Sequence, residues 1–196
     1  RTNPDFQIAS NWAYSSQMPE PVEVDVDYIS GDFNLQDSVN SARFEARCMQ
    51  RQTKPWDLMA WSFSSAFKEP DRSTKSVVQL KQEAAMALAL GGGFQAYFKQ
   101  KRDGSIFPWT MDIMKEVAAF CRERQPFCHG GESVPEIALL YSQEAFYRQV
   151  GQCFGGWSVG ALQPLNGILY MLLEAGRAGE ICMEHHLTGR MDEYDL

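Results

Sequence analysis

The feature that most limits what this chain can fold into is a regular exchange between short β-rich runs and helical stretches, sustained as far as residue 124. Parallel strands need a crossover between them, and the crossover is usually a helix, so this exchange predicts βα units around a parallel sheet. Residues 6–12 (FQIASNW) predict a first strand, and residues 24–30 (VDVDYIS) a second, closed by Gly31. Asp37 is placed to cap a helix running to about Arg51, on which Val39, Ala42, Phe44 and Ala46 give a partial apolar face. Pro55 opens a third strand, WDLMAWSF, whose nearly continuous apolar content suits burial on both faces. Ser76 leads a helix over VVQLKQEAAMALAL, and Gly91-Gly92-Gly93 end it. Residues 94–98 (FQAYF) predict the fourth strand and residues 111–124 the helix that follows.

Composition shifts at residues 125–135 (QPFCHGGESVP), where two prolines and a glycine pair replace the aliphatics. A linker is expected there, between a first domain over residues 1–124 and a second over 136–196. Residues 136–142 predict a strand, residues 165–175 a helix stopped by Gly176, and residues 180–183 a short strand. That order begins an open α/β sheet. The intervening GQCFGGWSVG, with Phe154 and Trp157, reads as a flexible loop, an interface or a lid.

Several function classes drop out on composition. The chain has 18 Lys and Arg against 25 Asp and Glu, a formal charge of −7, which opposes a nucleic-acid partner. No run of 18 apolar residues is present, so no membrane helix is expected. Hydrophobic content of 44% with 22% charged residues is ordinary for a globular domain. Five cysteines without a CxxC pair make neither a disulfide framework nor a zinc site, and they suit a cytoplasmic, periplasmic or secreted protein alike. Cys182, Glu184, His185 and His186 include metal-capable side chains. Neighbours on an extended segment point to opposite sides, however, so no metal site is expected. The glycine run follows a helix rather than opening one, which is the wrong order for a phosphate cradle, and no cofactor is expected.

Parallel α/β sheets hold ligands beyond the carboxyl ends of their strands. The residues there are Asn11, Trp12 and Tyr14, then Ser30 and Asp32, then Trp61, Ser62, Phe63 and Ser64, then Tyr97 and Lys99, with Phe107 and Trp109 nearby. Sugars present apolar C–H faces and polar hydroxyl edges, which flat rings and hydrogen-bonding groups match. Asn11, Trp12, Trp61, Tyr97 and Trp109 are therefore candidate substrate-binding residues. Strand-end aromatics also plug α/β cores and cover loops, so both readings stand at this point. Glycoside hydrolysis uses two carboxyl groups about 5 to 10 Å apart. Asp32 is the best-placed acid and the catalytic candidate, and Glu20, on the loop before the second strand, is a distant second.

Taken together, IASNW, VDYISGDF, KPWDLMAWSF, QLKQEAAMALALGGGFQAYFKQ and the loop RDGSI resemble, in order and spacing, the C-terminal half of a family 42-type β-galactosidase barrel. EIALLYSQEAF, LNGILYMLLEAGRAGEI and LTGRMDEYDL resemble the start of that family's trimerisation domain, a class I glutamine-amidotransferase-like fold without its activity. The resemblance implies the last βα units of a TIM-type (β/α)8 barrel, followed by the beginning of a flavodoxin-like or amidotransferase-like open parallel sheet. It implies a glycoside hydrolase acting on an oligosaccharide or glycoside, and a homo-oligomer. Where the family carries its nucleophilic glutamate, this chain has Met59-Ala60-Trp61, and alanine cannot act as a nucleophile. The layout is also similar to bacterial proteins of the family 29-type α-L-fucosidase kind, on which reading Asp32 sits in or near the sugar subsite. The other reading left open is a carbohydrate-binding or scaffolding protein that kept the barrel and lost catalysis. A whole barrel takes about 250 residues. Residues 1–124 are thus expected to be about half of one, with Arg1 and Leu196 as cut edges and no complete active site in the isolated chain.

Overall fold

A computed structural model describes residues 3–63, 74–134, 136–150 and 159–194. Strands β1 (Ala9–Asn11), β2 (Tyr28–Asp32), β3 (Trp56–Trp61) and β4 (Gly93–Tyr97) form a parallel sheet in sequential order. Helices α1 (Ser38–Gln50), α2 (Val77–Ala89) and α3 (Pro108–Cys128) form the layer behind it. The core between the layers joins Ile29, Phe33, Leu58 and Ala60 of the sheet side to Ala42, Ala46 and Met49 of α1, Leu80 and Ala87 of α2, and Val117 of α3. All three helices therefore cover one face, and the chain is an α/β protein built on parallel strands.

Side chains alternate along a strand, so the residues between those core positions face the other way. Asn11, Ser30, Asp32, Asp57, Met59, Trp61, Gln95 and Tyr97 share the face without helices. The expectation that β3 is buried on both faces is corrected by this. Leu58 and Ala60 are fully buried, whereas Asp57, Met59 and Trp61 are only partly so. Strand boundaries also move. Residues 24–27 are loop and β2 runs through Gly31, whose added Cβ would lie 2.7 Å from the Met49 sulfur. Gly31 lets α1 pack close to the strand instead of ending it.

Asp37 does precede α1, but its backbone is left-handed and its side chain takes the Asn40 amide at 2.9 Å rather than a helix N–H. Ser76 caps α2 as expected, accepting from the Gln79 N–H. At the end of α2, Gly91 has φ of +86° and Gly92 lies flat against the Trp56 ring. Helix α3 continues through Gln125 and Pro126 to Cys128, into the expected linker. A proline in the last turn removes only one helical hydrogen bond there, so it does not stop the helix.

Strands β5 (Ile137–Tyr141) and β6 (Gly179–Met183) make a second parallel sheet. Helix α4 (Gln143–Gln149), α5 (Gln163–Glu174) and the single turn α6 (Glu184–Leu187) accompany it. Helix α4 was not expected, although Ser142 accepts from the Ala145 N–H and Glu144 stands in the first turn. Those are the usual marks of a helix start. The two sheets share α1. Its Ala42, Ala46 and Met49 pack into the first core, and its Phe44 and Cys48 into a second with Tyr141, Phe146, Leu162, Leu169, Ile181 and Met183. Two binding faces explain why α1 shows only a partial apolar stripe in sequence. No helix among the described residues is long and apolar enough to cross a membrane.

Candidate functional site

The register of the first sheet sorts its open face into rows. Asn11, Ser30 and Asp57 lie side by side in the first row, with Gly93 beyond. Asp32, Met59 and Gln95 form the next row, and Trp61 and Tyr97 the one nearest the carboxyl ends. Asp32 therefore has two diagonal neighbours on β3, the Trp61 indole above it and the Asp57 carboxylate below.

Both neighbours act on its titration. Asp32 is 8% exposed, and burial holds its carboxyl above the ordinary value. The indole N–H of Trp61 works against that shift, and the Asp57 charge adds to it. Trp61 Nε1 is itself buried and meets no acceptor at ordinary hydrogen-bond geometry among the described residues. A carboxyl with a raised pKa thus lies beside the indole N–H. That pairing is suited to receiving a hydroxylated ligand.

Asp57 was passed over in sequence because it starts its strand rather than ending it. Its Oδ1 accepts the Ser30 hydroxyl at 2.6 Å and its Oδ2 the Gln95 amide at 2.7 Å, so three adjacent strands are tied across the open face. The signal was an acidic residue inside an otherwise apolar run, where a charge is rare unless it has partners.

The aromatic candidates are not gathered in one place. Trp61, Phe63 and Tyr97 form a mutual cluster, with ring centroids 5.5 to 5.9 Å apart. Lys99 Nζ sits 4.3 Å from the Phe63 centroid. Trp109 stands apart from this trio, 52% exposed on the first turn of α3 and 6.0 Å from the Phe107 ring. It lines a cavity of about 180 Å³ with Ser62, Phe63, Phe98 and Thr110. Asn11 is exposed at the end of β1, and its Oδ1 accepts the Ala13 N–H at 3.0 Å. Trp12 points the other way and packs against the helix-side core. Neighbours on a strand cannot share a face, so Asn11 and Trp12 cannot act together.

Behind the strand ends lies a second acid. Glu45 of α1 accepts from the Ser15 hydroxyl at 2.8 Å, the Ser16 N–H at 2.8 Å and the Ser16 hydroxyl at 2.6 Å. Burial raises its pKa to about 7 against the opposing effect of those donors. Tyr14, just before them, has φ of +52°, and burial followed by the Asp32 and Glu45 charges pushes its hydroxyl up to about 12. The β1–β2 loop is thus held beside Asp32 by groups deeper in the molecule. Glu20 is committed elsewhere, accepting the Tyr147 hydroxyl of α4.

Three further expectations find their places. Residues 184–186 form a helical turn rather than an extended segment. Within it, Glu184 accepts the Gln143 N–H and His186 Nδ1 the Met183 N–H. No group of three or more metal-capable side chains is found among the described residues. Ser64, Cys153, Phe154 and Trp157 lie outside the described residues.

The class these observations define is an α/β protein with parallel strands and a polar, aromatic-rimmed carboxyl edge. Comparison with family models, curated proteins and solved structures finds no match to this chain.

Proposed function

We propose that this chain is part of a glycoside hydrolase of galactosidase- or fucosidase-like type, with Asp32 as its proton-donating carboxyl. The observation that carries the reading is Asp32 itself, buried at a strand end between the Trp61 indole and Asp57, with burial holding its carboxyl above the ordinary value. A departing sugar oxygen needs a proton donor, and a buried carboxyl with a raised pKa is suited to supply one. Asp57 is the second carboxyl on the same face, one row away on the neighbouring strand. Strand spacing and rise put the two Cα atoms about 8 Å apart, so the two carboxyls belong to one face of the sheet.

The architecture of the proposal is an arc of a (β/α)8 barrel followed by the opening of an amidotransferase-like sheet. Sequential strand order with helices on one face supports the arc, since a doubly wound sheet reverses its order and carries helices on both faces. Ala60, at the position matched to the family's nucleophile, faces the helix-side core and is fully buried. The open-face positions beside it are Met59 and Trp61, neither of which is an acid. Double displacement through that position is ruled out in this reading.

The test is hydrolysis of aryl α- and β-galactosides and aryl fucosides by the full-length protein, with Asp32→Asn as control. Turnover that disappears in the variant supports the proposal, and a folded protein that cleaves none of them sinks it. Alanine at position 60, matched to the family's nucleophile, favours a second reading, a carbohydrate-binding protein that no longer turns substrate over. That reading predicts sugar binding that weakens in Trp61→Ala, with no product formed.

A further inference from the structure

We propose that the cavity between the ends of β3 and β4 and the first turn of α3 is a separate subsite for one uncharged pyranose ring. Its occupant class rests on the carbohydrate reading above. The cavity, about 180 Å³, has walls of two kinds. Phe63, Phe98, Phe107 and Trp109 supply flat apolar surface, and Ser62, Thr74 and Thr110 supply hydroxyl groups. Rings matched to C–H faces and hydroxyls matched to hydroxyl edges are the two requirements a pyranose sets.

Three details sharpen the assignment. Ser62 is only 2% exposed, and its hydroxyl meets no hydrogen-bond partner among the described residues, though its backbone is fixed on both sides by Tyr97 and Lys75. A buried hydroxyl facing a cavity without a partner is a group that a ligand can satisfy. Thr110 already donates to the Phe107 carbonyl at 2.7 Å, so its oxygen is left as an acceptor for a sugar hydroxyl. Among the described residues of the lining, Lys99 is the charged one; it is held over the Phe63 ring, which leaves the Trp109 face as the open platform.

Phe63 is the wall shared with the Asp32 side, since its ring also packs on Trp61 and Tyr97. A disaccharide with one ring at Trp61 and Tyr97 therefore reaches the cavity with the next. Asp32 lines no part of the cavity, so binding in it is independent of proton donation.

The test is ligand-observed NMR and calorimetry with methyl galactoside, methyl fucoside and, as an apolar probe, phenol. The wild type is compared with Trp109→Ala, Trp109→Phe and Ser62→Ala. Sugar binding should weaken tenfold or more in Trp109→Ala and severalfold in Ser62→Ala, and should survive in Trp109→Phe. Trp109 is half exposed, so its replacement leaves the core intact. Equal sugar binding by wild type and Trp109→Ala overturns the subsite. So does a cavity that takes phenol and neither sugar. Binding with this mutational pattern but no hydrolysis by the full-length protein keeps the subsite and removes the hydrolase. Hydrolysis by the full-length protein with equal sugar binding in wild type and Trp109→Ala does the reverse.

Discussion

Glu45 of α1 accepts the hydroxyl of Ser16, a residue of the β1–β2 loop, at 2.6 Å in a fully buried setting. The fold raises this carboxyl from an ordinary 4.5 to about 7. A raised pKa means the folded state binds the proton more tightly than the unfolded chain. The associated stability is complete below pH 4.5 and is lost as the pH climbs through 7. A shift of that size corresponds to about 3 kcal/mol. Urea denaturation from pH 4.5 to 8 should show stability falling across this window, and Glu45→Gln should flatten the fall. An unchanged slope in the variant would mean that other groups govern this pH range.

His186 pulls in the opposite direction. Burial, then His185, Arg51 and Arg190, lower its pKa from 6.5 to about 3. Its contribution is full above pH 6.5 and is lost as the pH falls toward 3. Asparagine can still accept from the Met183 N–H, so His186→Asn should keep the turn. The same titration should then show a shallower acid limb than the wild type.

Asp32 separates function from stability. Its carboxyl is held above the ordinary value by burial, which outweighs the opposing effect of the Trp61 indole N–H. Ionising it at neutral pH therefore works against the fold. Asp32→Asn should unfold at the same or a higher urea concentration than the wild type at pH 7, while abolishing glycoside hydrolysis by the full-length protein. A clear loss of stability would make Asp32 a structural residue.

Arg51 and Glu180 link α1 to β6 across the two sheets, with the Arg51 Nη2 and Nε both on Glu180 Oε2, at 2.6 and 2.9 Å. Tyr194 donates to the same oxygen at 3.1 Å, and Glu180 Oε1 is buried with no partner among the described residues. Arg51→Met leaves this carboxylate buried and uncompensated, and should cost about 3–5 kcal/mol. Replacing both, Arg51→Met with Glu180→Met, should recover most of that loss, since apolar packing substitutes well for a buried pair. Denaturation midpoints of the two single variants and the double variant settle the comparison.

How much was legible in the sequence follows from which forces act locally. The parallel βα order, the Ser76 cap and the glycine stop after α2 depend on nearest neighbours, and they stand in the structure as read. The role of α1 was hidden because Phe44 and Cys48 serve a core whose other residues lie about a hundred positions further on. Asp57 was passed over for a similar reason, as its partners Ser30 and Gln95 come from two other strands. Asking what ends each strand brings Asp32, Trp61 and Tyr97 onto one open face. It also groups Trp12 with them, although Trp12 takes the helix side, because a strand end read as a cluster ignores the alternation of side chains.

Gly92 shows a constraint that capping alone does not require. A Cβ built there would lie 2.3 Å from Trp56 Cζ3 and 2.4 Å from Cη2, a clash with the body of a ring packed on the first core. Gly92→Ala must push the indole aside, and overpacking of this kind costs about 1–3 kcal/mol. Trp56→Leu removes the obstructing ring at its own cost in lost packing. If the clash is the cause, the double variant will be more stable than the sum of the two losses predicts, by 1 kcal/mol or more on a double-mutant cycle. Strict additivity would instead place the cost of Gly92→Ala in the backbone of the turn. Because Trp56 precedes Asp57 on β3, the Gly92→Ala variant should also disturb the Ser30–Asp57–Gln95 tie. Broadening of the Gln95 side-chain amide resonances in NMR spectra would report it.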